Sequence, residues 1–533
     1  MMFTGWEQWR QWHSEGRYTT LPLLRKQPLH GIDGCKVASW EAGWTEAGPY
    51  SIVLESGKDG RYTYLGLRPV SVIRGKDQRA DSFDRSGSGR VEGSEKAWHG
   101  TPIDVVRRWM KPYSGPSIPD GPKWTGGCAG FWSYDVVRTI ERLPELASDD
   151  LGLPDYLFMR LDELWIVDQQ EQALYCAVHA EVPPDCGEAE LRRLFDQAAE
   201  RAERMLQFWL RRFGDGSETA SAYTMDAAAA KNRRLDLLNE ESLAVDVEAL
   251  PDTFSPFGKE AFESAVRRIQ QYIGAGDVFQ VNLSLRRSKQ VAVTPEELYE
   301  WLRLVNPSPY MGFMRCPDFQ LVSGSPELLV ELRDGRLATR PIAGTRRRGR
   351  TSEEDEAMER ELLTSEKERA EHIMLVDLER NDLGRISRYG TVKVQELMVI
   401  ERYSHVMHLV SQVDGELAEG KDAFDVIAAA FPGGTITGAP KIRTMEIIEE
   451  LEPTRRGPYT GSLGWIDYSG NMEFNIIIRT MTVRDGIVHI QAGAGIVIDS
   501  IPEREYYESL SKAKALWKAI QLGERFVHAD ARG

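Results

Sequence analysis

Residues 459–494 read YTGSLGWIDYSGNMEFNIIIRTMTVRDGIVHIQAGA and contain three runs of strand-forming residues with turn residues between them. The predicted strands are Tyr459–Asp467, Phe474–Val483 and Ile487–Ala494. No helical segment separates them, and strands that follow one another directly pair in antiparallel fashion. We therefore expect an α+β fold, a layered fold with large, mainly antiparallel sheets packed on each other and helices outside, rather than a doubly wound parallel sheet.

The mixture of strands and helices extends outward from this stretch through residues 255–525. Helices are predicted at Lys259–Ala275, Pro295–Asn306, Ser352–Asp382, Ala423–Ala430, Pro440–Glu450 and Ile501–Gln521. Further strands are predicted at Val278–Leu285, Tyr310–Met314, Phe319–Ser323, Leu328–Arg333, Arg336–Arg340 and Val406–Gly415.

A low-complexity stretch rich in Ser, Ala and acidic residues interrupts the chain near its middle. We therefore predict an N-terminal domain over residues 1–220, a linker over 221–254 and a second domain over 255–525. The N-terminal part contains predicted strands such as Tyr50–Glu55 and Tyr156–Val167, and a long amphipathic helix at Glu188–Phe213.

Composition limits the classes of function. The chain has 533 residues, 41% of them apolar, and a net charge of −16. This charge argues against nucleic acid or an anionic membrane as the main partner. The five cysteines show no metal-ligand spacing, and no window has the length of a membrane span or the apolar core of a signal peptide. We expect a soluble cytoplasmic protein.

Two pairs of glutamates have i, i+3 spacing inside predicted helices, namely Glu368/Glu371 and Glu505/Glu508. This spacing puts both carboxylates of a pair on one helix face. If the two pairs meet in one cleft, their negative charge requires a cation, and Mg²⁺ suits carboxylate ligands. On spacing alone, a solvated helix face is the more usual reason for such a pattern.

Glycine- and threonine-rich segments offer backbone donors for an anion. The run FPGGTITGAPK at 431–441 precedes a predicted helix, GAGI at 493–496 ends a predicted strand, and Gly344-Thr345 forms a third such element. Together with Arg479 and Lys512, these segments could bind a dicarboxylate. Each of them, taken alone, is equally explained as a tight connection.

Two further residues are candidates for acid–base chemistry. Glu327 follows a predicted strand and could protonate a leaving hydroxyl group if it is buried. His408 lies in a predicted strand, where a packed, hydrogen-bonded histidine is more common than a base.

Seven ordered segments together resemble one family, the chorismate-utilising enzymes. This family includes anthranilate synthase component I, aminodeoxychorismate synthase component I, and the isochorismate and salicylate synthases. The resemblance is dense over residues 255–520 and weaker before them. The segments are GDVFQVNLS at 276–284, GSPE at 324–327, PIAGT at 341–345, EKERAEH at 366–372, DLERNDLG at 377–384, the run at 431–441, and residues 493–508.

The resemblance implies a chorismate-binding domain over residues 255–525 and a role for each candidate residue. Glu368 and Glu505 match magnesium ligands, with Glu371 and Glu508 beside them in the shell around metal and substrate. Glu327 matches a general acid, and His408 a histidine with an acid–base or orienting role. Gln280, Ala343 and Thr345 complete the expected catalytic set. The expected substrate-binding residues are Gly344, Thr435, Thr437, Gly438, Tyr459, Arg479, Gly493, Ala494, Gly495 and Lys512.

Gln280 limits which nucleophile the enzyme can use. The isochorismate and salicylate synthases carry a lysine at this position, which suits the activation of water. A glutamine cannot act as a base at neutral pH, so ammonia is the expected nucleophile. The chain shows no glutaminase-like cysteine with a partnered histidine, and we therefore expect a glutamine amidotransferase subunit as its partner.

Two amination products remain open. Ala343 stands where the best-known aminodeoxychorismate synthase carries a lysine that adds to the substrate, and alanine is more usual in anthranilate synthases. Residues 281–283, Arg340 and residues 433–436 look more like the aminodeoxychorismate branch, especially that of Bacillus-like bacteria. We therefore expect amination at C4, as in 4-aminobenzoate and folate biosynthesis, with anthranilate formation as the alternative. A non-catalytic binding protein of the same fold is a remote alternative, because it predicts the loss of a metal-site glutamate and all four are present.

The segment Leu54-Glu55-Ser56 resembles the element that holds feedback tryptophan in anthranilate synthases. It therefore predicts a possible effector pocket in the N-terminal part. A strand end followed by a capped turn explains the same residues equally well.

Overall fold

The computed structural model describes residues 1–29, 37–57, 60–85, 96–214, 222–240, 242, 244–402 and 406–530. These residues form two sheets of 12 strands each, flanked by helices. Every pairing between named strands is antiparallel. The predicted fold class is therefore confirmed. Strands and helices are numbered below along the chain.

The first sheet combines strands from both ends of the sequence. In spatial order its strands are β1 (Thr20–Pro28), β10 (Ala173–Glu181), β9 (Glu163–Asp168), β3 (Tyr62–Gly66), β2 (Ser51–Glu55), β13 (Tyr310–Arg315), β14 (Gln320–Ser325), β23 (Thr480–Arg484), β24 (Ile487–Ile496), β12 (Gln280–Gln290) and β11 (Thr253–Phe254), with β20 (Gly438–Ala439) paired to β12.

The second sheet is built in the same mixed way. Its strands in spatial order are β17 (Ile342–Arg347), β19 (Val406–Glu416), β16 (Arg336–Thr339), β15 (Leu328–Arg333), β22 (Met472–Ile476), β21 (Ser462–Asp467), β7 (Gly127–Trp132), β8 (Tyr156–Leu161), β4 (Ser71–Lys76), β5 (Arg79–Asp84) and β6 (Lys96–His99), with β18 (Lys393–Arg402) paired to β19.

The helices are α1 (Trp6–Ser14), α2 (Glu41–Trp44), α3 (Pro102–Met110), α4 (Glu188–Arg212), α5 (Ala222–Glu240), α6 (Lys259–Gly274), α7 (Pro295–Val305), α8 (Ser352–Thr364), α9 (Glu366–Gly384), α10 (Ala423–Ala430), α11 (Lys441–Leu451), α12 (Pro502–Lys512) and α13 (Lys514–Asp530). Of these helices in the described residues, none combines the length and hydrophobicity that crossing a bilayer requires.

The two sheets pack face to face. Successive residues of a strand point to opposite faces, so each sheet contributes apolar side chains both to a core between the sheets and to a core on its outer face. Leu24 on β1 and Leu157 on β8 belong to the core between the sheets. The adjacent Leu23 points to the outer face of the first sheet, where it joins the core that includes Phe195 on α4 and Phe262 on α6. A third core covers the outer face of the second sheet and includes residues of α3 and α10. The helices thus lie outside the paired sheets, as expected.

Two of the predicted strands are wrong in one respect, because each consists of two shorter strands. In both cases the first of the two belongs to the second sheet and the other to the first sheet. The run Tyr156–Val167 contains β8 and β9, which are separated at the buried Asp162, whose carboxylate accepts a hydrogen bond from Tyr468. The run Phe474–Val483 contains β22 and β23. Arg479, which lies between β22 and β23, has a φ of 49° that no extended strand adopts. Neither run contains a Gly or Pro where the chain changes sheets, so the sequence carries no strong turn signal there.

Two predicted helices are also divided. The predicted helix Ser352–Asp382 is α8 and α9, because Ser365 leaves the helical backbone and its hydroxyl accepts the Glu368 N–H at 3.3 Å as the N-cap of α9. The predicted helix Ile501–Gln521 is α12 and α13, which are separated at Ala513.

Both sheets contain strands from each predicted domain. In the first sheet β2 pairs with β13, and in the second β7 pairs with β21. The predicted linker contains α5, whose buried Arg234 pairs with Glu297 on α7 at 2.5 Å. The division at residues 221–254 stays a prediction about the sequence, and the sheets themselves are continuous across it.

Candidate active site

The glycine-rich run at 431–441 is held against the start of β12. Ala439 pairs with Gln280 and Gly438 pairs with Val281. Gly438 has a φ of 128°, and a Cβ at this position would lie 2.1 Å from the Gln280 carbonyl oxygen. Only glycine permits this approach, so the run is fixed beside the strand that carries Gln280.

Gln280 is buried, and its contacts fix the orientation of its amide. Its Nε2 donates to Glu371 Oε1 at 3.2 Å, and a carboxylate can only accept at that contact. A Cβ on Gly495 would lie 2.2 Å from the same Nε2, so glycine makes room for the amide. Gln280 Oε1 is buried and has no hydrogen-bond donor among the residues that the structure describes. The strand therefore presents an unpartnered acceptor.

Glu327 lies in the short link between β14 and β15 and is 7% exposed. Burial raises the pKa of its carboxyl group to about 7, although the Thr435 hydroxyl and the positive charges of Arg479 and Lys512 oppose this shift. A carboxyl group with this pKa is partly protonated at neutral pH. Glu327 can therefore donate a proton, as expected for a general acid.

Arg479 lies beside Glu327 in the link between β22 and β23. Its backbone carbonyl accepts the Gly324 N–H at 3.0 Å, which holds the link against β14. Burial lowers the pKa of its guanidinium, and the charge of Glu327 opposes that shift. In the described parts of the chain no side chain pairs or hydrogen-bonds with this guanidinium. A desolvated cation in this position favours an anionic ligand.

His408 is buried on β19, and its Nδ1 lies 3.3 Å from the Gly344 carbonyl oxygen. Because a carbonyl only accepts, Nδ1 carries the proton. Burial and the charge of Arg479 lower the pKa of His408 to about 4, so the ring is neutral at physiological pH. Gly344 has a φ of 62° at a bulge of β17 between Ala343 and Thr345. The backbone of Thr345 pairs with His408, while its side chain lies outside the described part of the structure.

The four predicted metal ligands lie on α9 and α12. Glu368 Oε1 lies 3.1 Å from Arg346 Nη1, Glu371 accepts from Gln280, and Glu508 pairs with Lys512 at 3.1 Å. Glu505 is half-buried. Across the described ranges, no three His, Cys, Asp or Glu side chains lie close enough together to hold a metal ion.

The donor chemistry nonetheless fits Mg²⁺. Carboxylate oxygens on two helices are the hard ligands that this ion takes, usually in small number with other positions left for water or substrate. A Cβ on Gly344 would lie 2.9 Å from Glu368 Oε2, so the missing side chain makes room for that oxygen. The magnesium assignment stays a prediction, and the residues that would hold the ion are those on α9 and α12.

Lys512 connects α12 to the second glycine-rich element. Its Nζ donates to the Gly493 carbonyl oxygen at 3.0 Å and also contacts Glu508. A Cβ on Gly493 would lie 2.5 Å from the Leu283 carbonyl oxygen, so glycine is required where β24 approaches β12. Gly493 and Gly495 therefore lie on the strand that pairs with β12, which carries Gln280, and Lys512 on α12 contacts that strand.

Some predicted substrate-binding residues have structural roles for their side chains. Ala494 is fully buried in the apolar core beneath the outer helices. The Thr437 hydroxyl is buried and donates to the Gly433 carbonyl oxygen at 3.1 Å, which stabilises the turn. Tyr459 packs against the Arg456 guanidinium, 5.6 Å from the ring centroid. The side chains of Ala494 and Thr437 are therefore engaged in the core and in the turn, and the Thr437 carbonyl oxygen accepts the Asn282 N–H at 2.8 Å.

Sequence reasoning missed a buried ion pair between β12 and the glycine-rich run. Arg456 binds Glu452 at 2.7 Å, and both side chains are at most 3% exposed. Arg456 also donates to the Asn282 and Ile436 carbonyl oxygens at 2.7 and 2.9 Å, so it joins β12 to the glycine-rich run. The i, i+4 spacing of Glu452 and Arg456 was the available signal, although the same spacing is common on exposed helices.

A second buried cluster lies on the other side of the glycine-rich run. Lys441 pairs with Asp382 at 2.5 Å, and Thr339 donates to Glu379 at 3.0 Å. Burial and the charge of Asp382 raise the pKa of Glu379 to about 8. This cluster ties the end of the run to α9 and β16.

The predicted effector segment lines a cavity of about 490 Å³ between the sheets. Leu54, Glu55 and Ser56 form part of its wall, together with Tyr310 and Trp465. The Glu55 carboxylate is already bound by Arg303 at 2.8 and 2.9 Å and by the Tyr299 hydroxyl at 3.1 Å. That carboxylate therefore has a structural role, and the binding of an effector stays a prediction.

Arg479 thus lies close enough to both Glu327 and His408 to affect their charge, as Lys512 does for Glu327. Gln280 lies beside Glu371. Residues 51–518 match the family described as chorismate binding enzyme. The chain belongs to this family, as its sequence motifs predicted.

Curated relatives cover nearly the whole chain. Aminodeoxychorismate synthase component 1 of Bacillus subtilis is 46% identical over 89% of this chain and 92% of its own length. Anthranilate synthase component 1 of Thermus thermophilus is 44% identical over 90% of this chain and 94% of its own length.

Solved structures agree on the fold. Anthranilate synthase component I from Streptococcus pneumoniae has a TM-score of 0.67 and 31% identity, with 86% of this chain and 92% of that chain covered. The menaquinone-specific isochorismate synthase of Escherichia coli has a TM-score of 0.62 at 16% identity and covers 96% of this chain and 99% of that chain. The latter similarity concerns the fold alone.

Proposed function

We propose that the chain aminates chorismate at C4 with ammonia, the reaction of aminodeoxychorismate synthase component 1. The observation that carries the chemistry is the pair of Glu327 and Arg479, a buried acid with a pKa of about 7 beside a half-buried arginine. No described residue hydrogen-bonds or pairs with that guanidinium. The C4 position is supported by the Bacillus subtilis relative, at 46% identity over 89% of the chain.

The proposed roles follow from these environments. The Arg479 guanidinium binds a carboxylate of chorismate and so holds the ring beside Glu327. Glu327 donates its proton to the C4 hydroxyl, which leaves as water when the carbon–oxygen bond breaks. A carbon–nitrogen bond forms with ammonia, and the new ammonium group returns one proton to the Glu327 carboxylate. Neutral His408, held by Gly344, orients the substrate.

Gln280 selects the nucleophile in this proposal. Its Oε1 accepts an N–H from ammonia and leaves the nitrogen lone pair directed away from the amide. Its Nε2 stays with Glu371, which prevents the amide from turning. The glutamine side chain cannot act as a base that removes a proton from water, so it does not activate water as the nucleophile. Ala343 supplies no amine, so no covalent adduct forms at this position.

Glu368, Glu371, Glu505 and Glu508 are the proposed magnesium ligands. When bound, the ion supplies positive charge for the ring carboxylate of chorismate. The residues of α9 and α12 contribute carboxylate oxygens, and Arg346 and Lys512 are the cations that contact two of them in the structure.

A glutamine amidotransferase subunit is the proposed source of ammonia. Both named relatives are components 1 of their enzymes, which supports a separate partner. Cys186 lies 3.4 Å from His13, but burial, Glu190 and Asp185 raise the pKa of its thiol. A thiol in this environment is a poor nucleophile. The other described cysteines, Cys128, Cys176 and Cys316, are buried.

Anthranilate synthesis is a second candidate, and Ala343 favours it. This position carries no lysine, and the Thermus thermophilus relative of 44% identity is an anthranilate synthase component 1. In that reaction, ammonia enters at C2 and pyruvate is eliminated.

Product analysis separates the two candidates. The chain is incubated with chorismate, Mg²⁺ and ammonium salt, with and without an added aminodeoxychorismate lyase. We expect 4-aminobenzoate that depends on the lyase. Fluorescent anthranilate formed without the lyase would instead establish the second candidate. A Glu327→Gln variant, which retains the size of the side chain, serves as the control and should form neither product.

A further inference from the structure

Arg346 on β17 joins two helices that carry acidic residues. Its Nε donates to Glu361 Oε1 on α8 at 3.0 Å, and its Nη1 donates to Glu368 Oε1 on α9 at 3.1 Å. The two helices are separate because Ser365 interrupts the helical backbone between them. A single guanidinium therefore fixes the relative position of the end of α8 and the first turn of α9.

Gly344 limits the same carboxylate from its other side. A Cβ on Gly344 would lie 2.9 Å from Glu368 Oε2 and 2.7 Å from Leu362 Cδ1. Glycine thus allows Oε2 to lie close to the strand, while Oε1 is bound by Arg346. The two oxygens of Glu368 have different surroundings, and rotation of the carboxylate would break the contact with Arg346.

We propose that Arg346 is a positioning residue, which holds the Glu368 carboxylate in the orientation in which it would bind Mg²⁺. The inference rests on the proposed magnesium site. A carboxylate whose orientation is already fixed loses less conformational freedom when an ion binds. Hydrogen-bond partners of metal ligands typically contribute about 10–100-fold to metal affinity.

The arginine side chain suits this position better than lysine. Its planar fork presents several N–H groups in fixed directions, so one side chain reaches Glu361 and Glu368 together. A lysine retains the charge and loses this geometry. Arg346→Lys should therefore restore only part of the affinity that Arg346→Gln loses.

The test measures Mg²⁺ binding directly. MgCl₂ is titrated calorimetrically into the full-length chain with chorismate present and ammonia absent. We expect Arg346→Gln to weaken Mg²⁺ binding by about 10–100-fold and to raise the Mg²⁺ concentration required for half-maximal activity. The maximal rate at saturating Mg²⁺ should change much less, because Arg346 is not assigned to the reacting atoms.

Arg347→Gln is the matched control. Arg347 is the next residue, its side chain is 58% exposed, and it pairs with Glu354. The loss of one arginine charge beside the cleft is therefore the same, while the contact with Glu368 is retained. We expect unchanged Mg²⁺ affinity for this variant.

The other outcomes are distinct. Arg346→Gln with equal or tighter Mg²⁺ binding overturns the positioning role, since the arginine then has no effect or competes with the ion. Equal losses for Arg346→Gln and Arg347→Gln also overturn it, because charge alone explains them. Glu368→Gln tests the magnesium site itself, and unchanged binding in that variant removes the site rather than only the contribution of Arg346.

Discussion

The candidate active site has two sides, a wall formed by the sheets and a wall formed by helices α9 and α12. The two walls hold their ionisable groups in opposite ways. On the wall formed by the sheets, Glu327, His408 and Arg479 are desolvated, and burial shifts the pKa of each. On the helical wall, Glu368 and Glu508 are partly exposed and each pairs with a cation. In the proposed reaction, burial sets the proton transfer on the first wall, and the carboxylates of the second wall are the proposed ligands of an ion.

Glu327→Gln should cause the largest loss of activity among these variants. The amide is close in size to the acid but cannot donate a proton to the leaving hydroxyl. We expect kcat to fall by about 10²–10⁴-fold, the usual contribution of a general acid. Steady-state kinetics with ammonium salt measures the loss, and circular dichroism checks the fold. A variant with nearly full activity would remove Glu327 from the reaction.

Asp382→Asn tests the cluster that ties the glycine-rich run to α9. The change leaves Lys441, whose side chain is 15% exposed, without its charged partner. We expect the free energy of unfolding to fall by about 1–3 kcal/mol, because a largely desolvated ammonium group loses its charged hydrogen-bond partner. Chemical denaturation gives the value.

Glu379→Gln is the matched control for that variant. The pKa of Glu379 is raised to about 8, so its carboxyl group is mostly neutral at pH 7. An amide should replace it at a much smaller cost. Equal destabilisation by the two substitutions would contradict the assignment of the charge to Asp382.

Arg479→Gln should shift the pH dependence of the reaction. Glu327 must be protonated to act as an acid, so activity should decline as pH rises through about 7. The charge of Arg479 lowers the pKa of Glu327, and its removal should move this decline to higher pH. The pH profile of kcat measures the shift, and a rise in KM for chorismate should accompany it. A shift to lower pH would contradict the proposed interaction.

Glu508→Gln should have the smallest effect on stability. Glu508 is 54% exposed and its partner Lys512 is 46% exposed. Exposed ion pairs of this kind contribute less than about 1 kcal/mol. The thermal midpoint should hardly change, even though Mg²⁺ binding weakens. A large loss of stability would show that the helical wall depends on this ion pair.

The sequence predicted the fold class because successive strands without intervening helices restrict the layers available. It did not predict where strands change sheets, since Phe474–Val483 contains no Gly or Pro. The positive φ of Arg479 is evident only in the structure. Ser365 was a recognisable N-cap, yet it lay inside an otherwise continuous helical pattern.

The motifs predicted the composition of the cleft better than the function of each side chain. Gln280 and Glu327 are buried, as their proposed roles require. The side chain of Ala494 packs in the core instead, because adjacent residues of a strand point to opposite faces. The contact between Gly495 and Gln280 could not be predicted, since it depends on the register of β12 and β24.

The mixed order of strands also affects how the protein is made. Ala129 on β7 pairs with Trp465 on β21, and the ribosome must synthesise the chain between them before that pair can form. At about 5–20 residues per second, this interval is on the order of tens of seconds. During that time β7 lacks one of its two neighbours, and its unpaired edge is open to association with other chains. Cellular chaperones that bind nascent chains should therefore affect the yield of this protein more than its final stability.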